Sequence, residues 1–315
     1  MTSKRALEAA GMLAVAGALY FAPSFLERGI LNDLWSVALA VVLASSWNLL
    51  GGFAGQVSIG YSAFLGIGAY TTVLLALQGT PPVLTLPLGA LLAAGFSVII
   101  GYPTFRLRGP YFTIATIGVG EAVRVVASSL SFAGGASGLR MPAGSYDFES
   151  NFRSMTLLAV ALVWIALAIS RSAFGSALSA VRQDIDAAEA LGVNSTRLKV
   201  TVHALSAALV GLAGGLFAIN FQYVSPGSVF DFRLSLTIVL MPIVGGVGTV
   251  AGPVLGAILF GWLQLKLLSI PALLSSSLFI YGALLIAVML FEPKGLLGLV
   301  RRLWARRLRR FYIDA

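Results

Sequence analysis

Residues 171–200, RSAFGSALSAVRQDIDAAEALGVNSTRLKV, form a polar segment between long apolar stretches of the chain. Seven charged side chains fall within these 30 residues, whereas only 10% of the whole chain is charged. Apolar side chains recur there at spacings of three and four, as they do on one face of a helix. They are Leu178, Val181, Ile185, Ala188 and Leu191. The spacing predicts one amphipathic helix over 178–191, on a loop suited to docking a soluble partner.

Signals for the ends of helices follow this pattern. Gly192 is placed to end the helix, because glycine adopts the left-handed conformation without a steric penalty. Asn194, Ser195 and Thr196 have the short polar side chains that cap the start of a following helix. The segment 171–200 is therefore predicted to be a structured loop.

The composition on either side of this loop indicates a membrane protein. Of the 315 residues, 58% are hydrophobic, against about 45–50% in a soluble domain. The mean hydropathy is +0.93. A chain with so few polar side chains cannot cover its apolar surface in water. We therefore expect an all-α polytopic membrane protein, with residues 1–315 forming a single transmembrane domain.

Apolar runs of suitable length divide the chain into about ten candidate spans, since a helix of about 20 residues crosses the hydrocarbon core. They lie near 9–26, 34–50, 57–78, 84–105, 111–130, 155–170, 201–221, 234–249, 251–268 and 272–291. Several are short or broken by glycine, so eight or nine spans remain possible. The start of the chain has a basic end and an apolar core, as a signal peptide has. It lacks a convincing cleavage site and is expected to remain as the first helix.

The distribution of basic residues predicts the orientation. An even number of spans puts both termini, residues 106–108, the 171–200 loop and the basic tail 292–315 on one side. That side then holds 15 of the 21 Lys and Arg residues and six of the 12 acidic residues. By the positive-inside rule it is the cytoplasmic side, and a nucleic-acid partner is not needed to explain the net charge of +9. The tail is either a helix lying on anionic headgroups of the bilayer or a topology anchor.

A glycine-rich stretch at 51–70, GGFAGQVSIGYSAFLGIGAY, is the first candidate for a substrate passage. Small residues allow helices to pack closely in lipid, which is one interpretation. The other is a broken or re-entrant segment lining the passage, because irregular backbone at membrane depth needs protein or water to satisfy it. The candidate residues are Gly51, Gly52, Gln56, Ser58, Gly60, Tyr61, Ser62, Gly66 and Tyr70.

A second glycine doublet, Gly245-Gly246, opens a comparable stretch and joins the candidate passage residues. Ten spans divide into two sets of five, and a repeat with an odd number of spans must be inverted. The similarity between the two glycine-rich stretches therefore predicts two inverted five-helix repeats.

Charged residues near the predicted outer side give two further candidates. Glu121 and Arg124 lie three residues apart on one helical face, either as an interfacial salt bridge or as a pair on the substrate path. The outer loop 131–154 either meets an external delivery protein or merely connects two spans.

Signatures of enzymes are missing from the sequence. No lysine follows a glycine-rich P-loop, and neither a Gly-x-Ser-x-Gly nor a His-Glu-x-x-His motif occurs. Cysteine is absent and His203 is the single histidine, which excludes thiolate and multi-histidine metal sites. We predict no catalytic residues, no cofactor and no metal.

The segment 174–200 resembles the cytoplasmic loop of permeases in the branched-chain amino acid family of ABC importers. Further segments resemble the same family in the same order over roughly 250 residues. They are 55–75, 106–125, 134–139, 245–257 and 290–298. The RLRG segment at 106–109 and the outer loop favour the M-type over the H-type of the two permease subunits. Pro110 departs from the family, where an acidic or polar residue is more usual, and no charge role is assigned there.

The resemblance implies a multi-pass inner-membrane subunit with a type II ABC importer fold. Its implied partners are an H-type permease in a heterodimer, two cytoplasmic ATPases, a periplasmic binding protein and the lipid bilayer. The residues that fall on the ATPase-docking motif are Arg182, Asp184, Asp186, Ala188, Glu189, Ala190 and Gly192. The implied cargo is a branched-chain or related amino acid, moved by alternating access. Alternatives are urea, short amides or small aromatic acids on the same architecture, or a transporter acting alone.

Overall fold

The computed structural model describes residues 2–142, 144, 147–268, 277–292, 295–299 and 302. The described chain is almost entirely helical. Its helices are α1 Thr2–Phe21, α2 Arg28–Asn48, α3 Tyr61–Leu77, α4 Pro82–Thr104, α5 Pro110–Ser129, α6 Phe148–Ser170, α7 Ala173–Gln183, α8 Ile185–Ala190, α9 Ser195–Phe221, α10 Pro226–Val229, α11 Phe232–Gly245, α12 Ala251–Leu268 and α13 Ser277–Phe291. Short 3₁₀ turns lie at Ala22–Ser24, Ser131–Ala133 and Gly135–Ser137, and a π-helical turn lies at Leu49–Phe53.

Six helical segments are long and apolar enough to cross a membrane, and three shorter apolar helices accompany them. The six segments are Arg28–Phe53, Pro82–Thr104, Pro110–Ser129, Phe148–Ser170, Ser195–Phe221 and Pro226–Gly245. The predicted all-helical polytopic architecture is therefore confirmed. Part of the predicted span 272–291 and most of the tail 292–315 lie outside the described residues.

Helix α9 is the centre of the bundle. It packs against α3 and α4 over most of its length, and 72% of its most apolar 18-residue stretch is buried. Glycines allow the backbones to meet, since a Cβ atom added to Gly68 would lie only 2.0 Å from the Gly211 carbonyl oxygen. Helices in lipid pack by close backbone approach of this kind, because no hydrophobic force drives them together there.

Helices α4, α5 and α6 lie at the periphery, with only 22–33% of the most apolar 18-residue stretch of each buried. One polar bridge joins α6 to the centre. The side chain of Asn151 accepts a hydrogen bond from Trp35 Nε1 at 2.9 Å and donates one to the Leu216 carbonyl oxygen at 3.0 Å. Asn151 is 4% exposed, so this bridge fixes α2, α6 and α9 together inside the bundle.

Contacts between loops sort them into two sets. Leu139 and Arg140 pair in antiparallel fashion with Val224 and Tyr223, which joins the α5–α6 loop to the segment after α9. In the other set, Arg108 pairs with Asp186 and so joins the α4–α5 turn to the loop between α6 and α9. Each contact joins two connections that are separated by two of the long helices, as spans of alternating direction require.

The predicted single helix over 178–191 is wrong. The segment forms two helices, α7 and α8, which meet at an extended Asp184 with φ −155° and ψ 115°. The Asp184 carboxylate accepts a hydrogen bond from the Ala187 backbone at 3.0 Å and thereby caps α8. An aspartate that bonds to the backbone two or three residues ahead competes with helix continuation, which explains the break.

Three other predicted boundaries also change. The glycine-rich span predicted at 57–78 begins as a helix only at Tyr61, after irregular backbone at 54–60. The outer loop predicted to end at 154 ends earlier, because Asp147 caps α6 and the helix begins at Phe148. The loop predicted to end at 200 ends at Asn194, because α9 begins at Ser195. Each shift reflects a helix start that short polar side chains or glycine determine locally.

Candidate functional site

The loop at 171–194, hereafter the coupling loop, is a series of capped helices. The Ser172 hydroxyl caps α7 by accepting from Gly175 N at 3.2 Å. Gly192 has φ +85°, the left-handed conformation after the end of α8. The Asn194 side chain accepts from Arg197 N at 2.8 Å and caps α9. The predictions that Gly192 ends a helix and that Asn194 caps the next one are confirmed, and the loop is structured throughout.

Most of the residues predicted to dock an ATPase are exposed at this end of the molecule. The exposed ones in the single chain are Arg182, Asp184, Asp186, Glu189, Ala190 and Gly192. Leu191, next to them, is 85% exposed and is an apolar side chain with no cover from its own chain.

Ala188 differs from its neighbours because only 2% of its surface is exposed. It lies with the buried Leu178 and Val181 on the side of α7 and α8 that faces the bundle. In the single chain Ala188 is therefore not on the exposed face that carries the other predicted docking residues, and its contact with an ATPase stays a prediction.

Two carboxylates of the coupling loop are bonded to their own chain. Asp186 receives two hydrogen bonds from the Arg108 guanidinium, at 2.9 and 3.2 Å. This bonding raises the pKa of Arg108. Glu189 accepts a hydrogen bond from the Ser195 hydroxyl at the start of α9. Both acids remain exposed, so a partner would meet carboxylates whose orientation is already set.

Arg182 is exposed like its neighbours in the loop, yet its guanidinium is bonded to its own chain. Its Nη1 donates to the Gly52 carbonyl oxygen at 2.6 Å. A Cβ atom added to Gly248 would lie 1.9 Å from the same nitrogen, and one added to Gly55 would lie 2.9 Å from Arg182 Cγ. The structure thus brings one predicted docking residue together with the predicted passage residue Gly52.

The two glycine-rich stretches meet beside Arg182. Asn48 Nδ2 donates to the Thr249 carbonyl oxygen at 2.9 Å, and its Oδ1 accepts from Gly248 N at 2.8 Å. We call Asn48, Gly52, Gly55, Gly248 and Thr249 the glycine junction. It connects the cytoplasm-facing end predicted for α2 with the turn between α11 and α12.

Several candidate passage glycines are closely packed against other elements. A Cβ atom would lie 2.4 Å from the Trp47 ring at Gly51, 2.5 Å from the Thr116 oxygen at Gly60 and 1.9 Å from the Gly252 oxygen at Gly245. Gly246 has φ +130° and makes the turn after α11. Gly51, Gly60 and Gly245 fit the helix-packing interpretation, because each one lacks room for a side chain.

Other candidate residues lie in a small cavity between α3, α5 and α11. The cavity has a volume of about 230 Å³ and includes Ile59, Ser62, Ile117, Glu121, Phe230 and Ser235 in its lining. At its base, the hydroxyls of Ser62 and Ser235 are 2.8 Å apart, and Ser62 N donates to Ser235 Oγ at 3.0 Å. We call this space the hydroxyl cavity. It joins predicted Ser62 and Glu121 to Phe230 and Ser235, which sequence reasoning missed.

Glu121 and Arg124 form the ion pair that their spacing predicts. Arg124 Nε lies 2.9 Å from Glu121 Oε2. The Arg124 side chain is 38% exposed and the Glu121 side chain is 49% exposed. Glu121 lines the hydroxyl cavity, whereas Arg124 does not. The pair therefore lies at the rim of the cavity.

The remaining candidates are spread through the core. The Tyr61 hydroxyl lies 2.8 Å from Ser206 Oγ, which donates to the Ser46 carbonyl oxygen at 2.6 Å. Tyr70 stacks on Phe230 with ring centroids 5.7 Å apart. The Ser58 carbonyl accepts from Trp47 Nε1 at 2.7 Å, and Gln56 is half-buried. Among the described residues, no group of His, Asp or Glu is placed to hold a metal ion.

One missed residue left a signal in the sequence. Asn48 is a polar side chain in an apolar run directly before the first glycine doublet, and polar groups inside membrane helices are usually bonded or functional. Ser235 offers no such signal, because isolated serines are common in apolar helices.

Comparison with known proteins places the sequence among transport permeases. The family described as "Branched-chain amino acid transport system / permease component" matches residues 29–289. The permease protein LivM of the high-affinity branched-chain amino acid transport system of Salmonella typhimurium is 31% identical, over 89% of this chain and 72% of the relative. LivM of Escherichia coli K12 has the same identity and coverage. BraD, a permease protein of the corresponding Pseudomonas aeruginosa system, is 24% identical over 85% of this chain and 94% of its own. No solved structure matches the chain.

Proposed function

Since the chain belongs to the branched-chain amino acid transport permease family, we propose that it imports branched-chain or related amino acids as one membrane subunit of an ATP-binding cassette importer. The observation that carries this proposal is the match of the family over residues 29–289, which spans the bundle and the coupling loop. The chain is a permease and not an enzyme; ATP hydrolysis belongs to separate subunits.

The proposed assembly contains four kinds of subunit. This chain, as the M-type permease, pairs with an H-type permease, and two ATPases bind the cytoplasmic face of the pair. A periplasmic binding protein delivers the amino acid on the other face, where the paired strands Leu139–Arg140 and Tyr223–Val224 support the outer loops. The names of LivM and BraD support a role within a transport system, because each is called a permease protein of such a system.

The proposed topology has about ten spans with both termini in the cytoplasm of a bacterial cell. The positive-inside distribution supports this orientation, since 15 of 21 basic residues fall on the proposed cytoplasmic side. Two inverted five-helix repeats would place the two glycine doublets at equivalent positions. The hydrogen bonds between Asn48 and the Gly248–Thr249 turn join the two stretches directly, so the proposed repeat rests on the similarity of the two sequences and not on this contact.

Transport in this proposal follows from movement of the coupling loop. Closure of the ATPases on ATP pushes α8, whose exposed surface carries Asp186, Glu189, Ala190 and Leu191. The caps at Asp184 and Asn194 leave little slack between α8 and α9. The push therefore tilts α9 and the helices around it, and access to the passage alternates between the two sides of the membrane.

The hydroxyl cavity is the proposed part of the passage within this chain. At about 230 Å³ it is smaller than the 300–1,000 Å³ of drug-sized ligand sites, which suits a solute of a few heavy atoms. Its apolar walls fit an aliphatic side chain, while the serine hydroxyls and Glu121 offer polar partners to a backbone amino group. A tight site is not required, because the binding protein selects the cargo.

Substitution of Leu191 by glutamate tests the docking surface. This side chain is 85% exposed, so the change should leave the fold intact and disrupt only an apolar contact with the ATPase. The expected result is loss of ATPase co-purification. The matched control is Leu77→Glu at the opposite end of the bundle, where the side chain is 52% exposed and co-purification should persist. Retained co-purification in Leu191→Glu would refute this docking surface.

The acidic residues of the surface provide a second test. The double substitution Asp186→Lys with Glu189→Lys should also abolish ATPase co-purification while the chain still inserts in the membrane. Asp186→Asn, with Arg108 left unpaired, separates the two effects, since it breaks the internal ion pair without reversing charge. If the double variant still binds the ATPase, the charges do not set partner choice.

The alternatives differ in cargo and in energy source. Import of urea, short amides or small aromatic acids would show as binding of those compounds, and not leucine, to the cognate periplasmic protein. A transporter acting alone needs ionisable groups inside the membrane to relay ions or protons. Among the described residues, the buried Lys, His and Glu side chains are Lys199, His203 and Glu292. Lys199 and Glu292 lie near helix ends, and the His203 ring packs against Phe64 and Phe105, so the three do not form such a relay.

A further inference from the structure

We propose that Arg182 is a positioning residue that ties the coupling loop to the glycine junction, and that it converts movement of the loop into movement of the passage helices. This inference rests on the proposed function. It reassigns Arg182 from a contact with the ATPase to an internal link, on geometric grounds.

The first ground is the direction of the side chain. The Arg182 guanidinium donates through Nη1 to the Gly52 carbonyl oxygen at 2.6 Å. A hydrogen bond from a charged donor is stronger than one between neutral groups. The acceptor lies in the π-helical turn Leu49–Phe53 at the end of α2, and such turns are frequent at functional sites.

The second ground is the fit of the receiving surface. A side chain at Gly248 would occupy the position of Arg182 Nη1, and a side chain at Gly55 would press on Cγ. Both glycines also have positive φ values, +77° and +72°, which other residues adopt with strain. The junction therefore has a groove that accepts this arginine and that most substitutions would close.

The third ground is what the junction already connects. Asn48 joins the end of α2 to the turn between α11 and α12 through hydrogen bonds of 2.8 and 2.9 Å. Arg182 adds α7 to this pair. A displacement of α7 would thus reach α2 and the α11–α12 turn together, and α11 carries Ser235 of the hydroxyl cavity.

The contrast with the other arginine of this region supports the assignment. Arg108 pairs with Asp186, and both side chains are about two-thirds exposed, at 68% and 70%. Exposed ion pairs of this kind hold elements together only weakly. The carbonyl of Gly52 cannot rotate away as a carboxylate side chain can, so the Arg182 bond transmits displacement more directly.

The experiment uses the full importer in proteoliposomes with Arg182→Ala, Arg182→Lys and the control Gln183→Ala. Gln183 is the exposed neighbour in α7 and should behave as the unchanged protein. Arg182→Ala should keep ATPase co-purification while the amount of amino acid imported per ATP hydrolysed falls about tenfold, the scale of losing one hydrogen bond to a charged group. Arg182→Lys should lie between, because lysine lacks the guanidinium fork.

Two results would overturn the inference: loss of ATPase co-purification in Arg182→Ala, which would make it a docking residue, or an unchanged ratio of import to hydrolysis. A second measurement does not depend on the ATPase. The full chain in lipid nanodiscs, with a spin label at Ala187→Cys on its cysteine-free background, should show greater label mobility when Arg182 is alanine.

Equal mobility would refute the link even if the proposed importer were wrong. Failure of the unchanged chain to bind any ATPase would instead refute the proposed function alone. Should Arg182→Ala not fold, the mobility and import ratio of Arg182→Lys decide in the same way.

Discussion

Alanine at Gly68 should force α3 away from α9 at their closest approach. The added Cβ atom would lie 2.0 Å from the Gly211 carbonyl oxygen, where real Cβ atoms essentially never approach within 3.0 Å. The backbones must therefore separate by about 1 Å. They cannot simply slide, because Gly214 on α9 meets the Leu65 oxygen of α3 at a comparable would-be distance of 2.0 Å.

Two opposing effects set the size of the change. Alanine favours a helix over glycine by about 1 kcal/mol, which would stabilise the variant. Overpacking a close contact costs about 1–3 kcal/mol, and here the obstacle is backbone rather than a movable side chain. The steric effect should win, with a net loss of about 1–2 kcal/mol in the free energy of unfolding.

Thermal unfolding of the purified chain in detergent measures this loss. A shift of roughly 2–4 °C accompanies each kcal/mol in domains of 150–250 residues, so Gly68→Ala should melt several degrees lower. The control is Gly95→Ala in α4, where an added Cβ atom meets nothing within 4 Å and the melting temperature should hold or rise. If both variants melt alike, the close crossing of α3 and α9 is wrong.

Three further outcomes are expected. Gly66→Ala should slow amino acid uptake with little change in stability, because its Cβ atom would lie 2.1 Å from Phe230 Cε1 and push that ring into the hydroxyl cavity. The control is Gly118→Ala, which has open space around it. Equal uptake rates in the two variants would exclude the cavity from the passage. Asn48→Leu should lower the free energy of unfolding by about 1–3 kcal/mol, since Gly248 N–H and the Thr249 carbonyl lose a buried partner. Chemical denaturation measures this loss, with Ser36→Ala as the control. Equal denaturation midpoints for the two variants would contradict the prediction. Leu191→Cys should react with a membrane-impermeant maleimide in inside-out vesicles but not in whole cells. Bound ATPase should protect the cysteine from this reagent. Labelling in whole cells would reverse the proposed topology.

Local rules in the sequence predicted much of this structure. Apolar runs gave most of the helices, because length and hydropathy alone decide whether a segment can cross lipid. Gly192 and Asn194 were correctly assigned to helix ends, since their backbone chemistry acts on immediate neighbours. The Glu121–Arg124 pair followed from helical spacing in the same way.

The break at Asp184 shows where such rules stop. Its neighbours at 178, 181, 185 and 188 keep the spacing of one continuous helix, yet Asp184 becomes extended and caps α8. The spacing survives because α7 and α8 both turn an apolar side towards the bundle. Periodicity reports burial, and a cap within the pattern can change the direction of the chain without disturbing it.

Contacts between distant segments were beyond the sequence for a different reason. Ser62 and Ser235 are separated by 173 positions, and Arg182 and Gly52 by 130. Nothing in a single sequence pairs these residues, because their meeting depends on how every helix between them packs. For the same reason, the family resemblance that placed Arg182 on the docking motif could not reveal its hydrogen bond to the Gly52 carbonyl.

Import by this protein is proposed to depend on a nucleotide-hydrolysing partner at the coupling loop. The most direct measurement is uptake of labelled leucine into proteoliposomes that contain this chain, the H-type permease and the two ATPases, with the binding protein outside and ATP inside. Uptake should require ATP and should disappear with Leu191→Glu while the bundle remains folded. Uptake by this chain alone, without nucleotide or ATPase, would contradict the account.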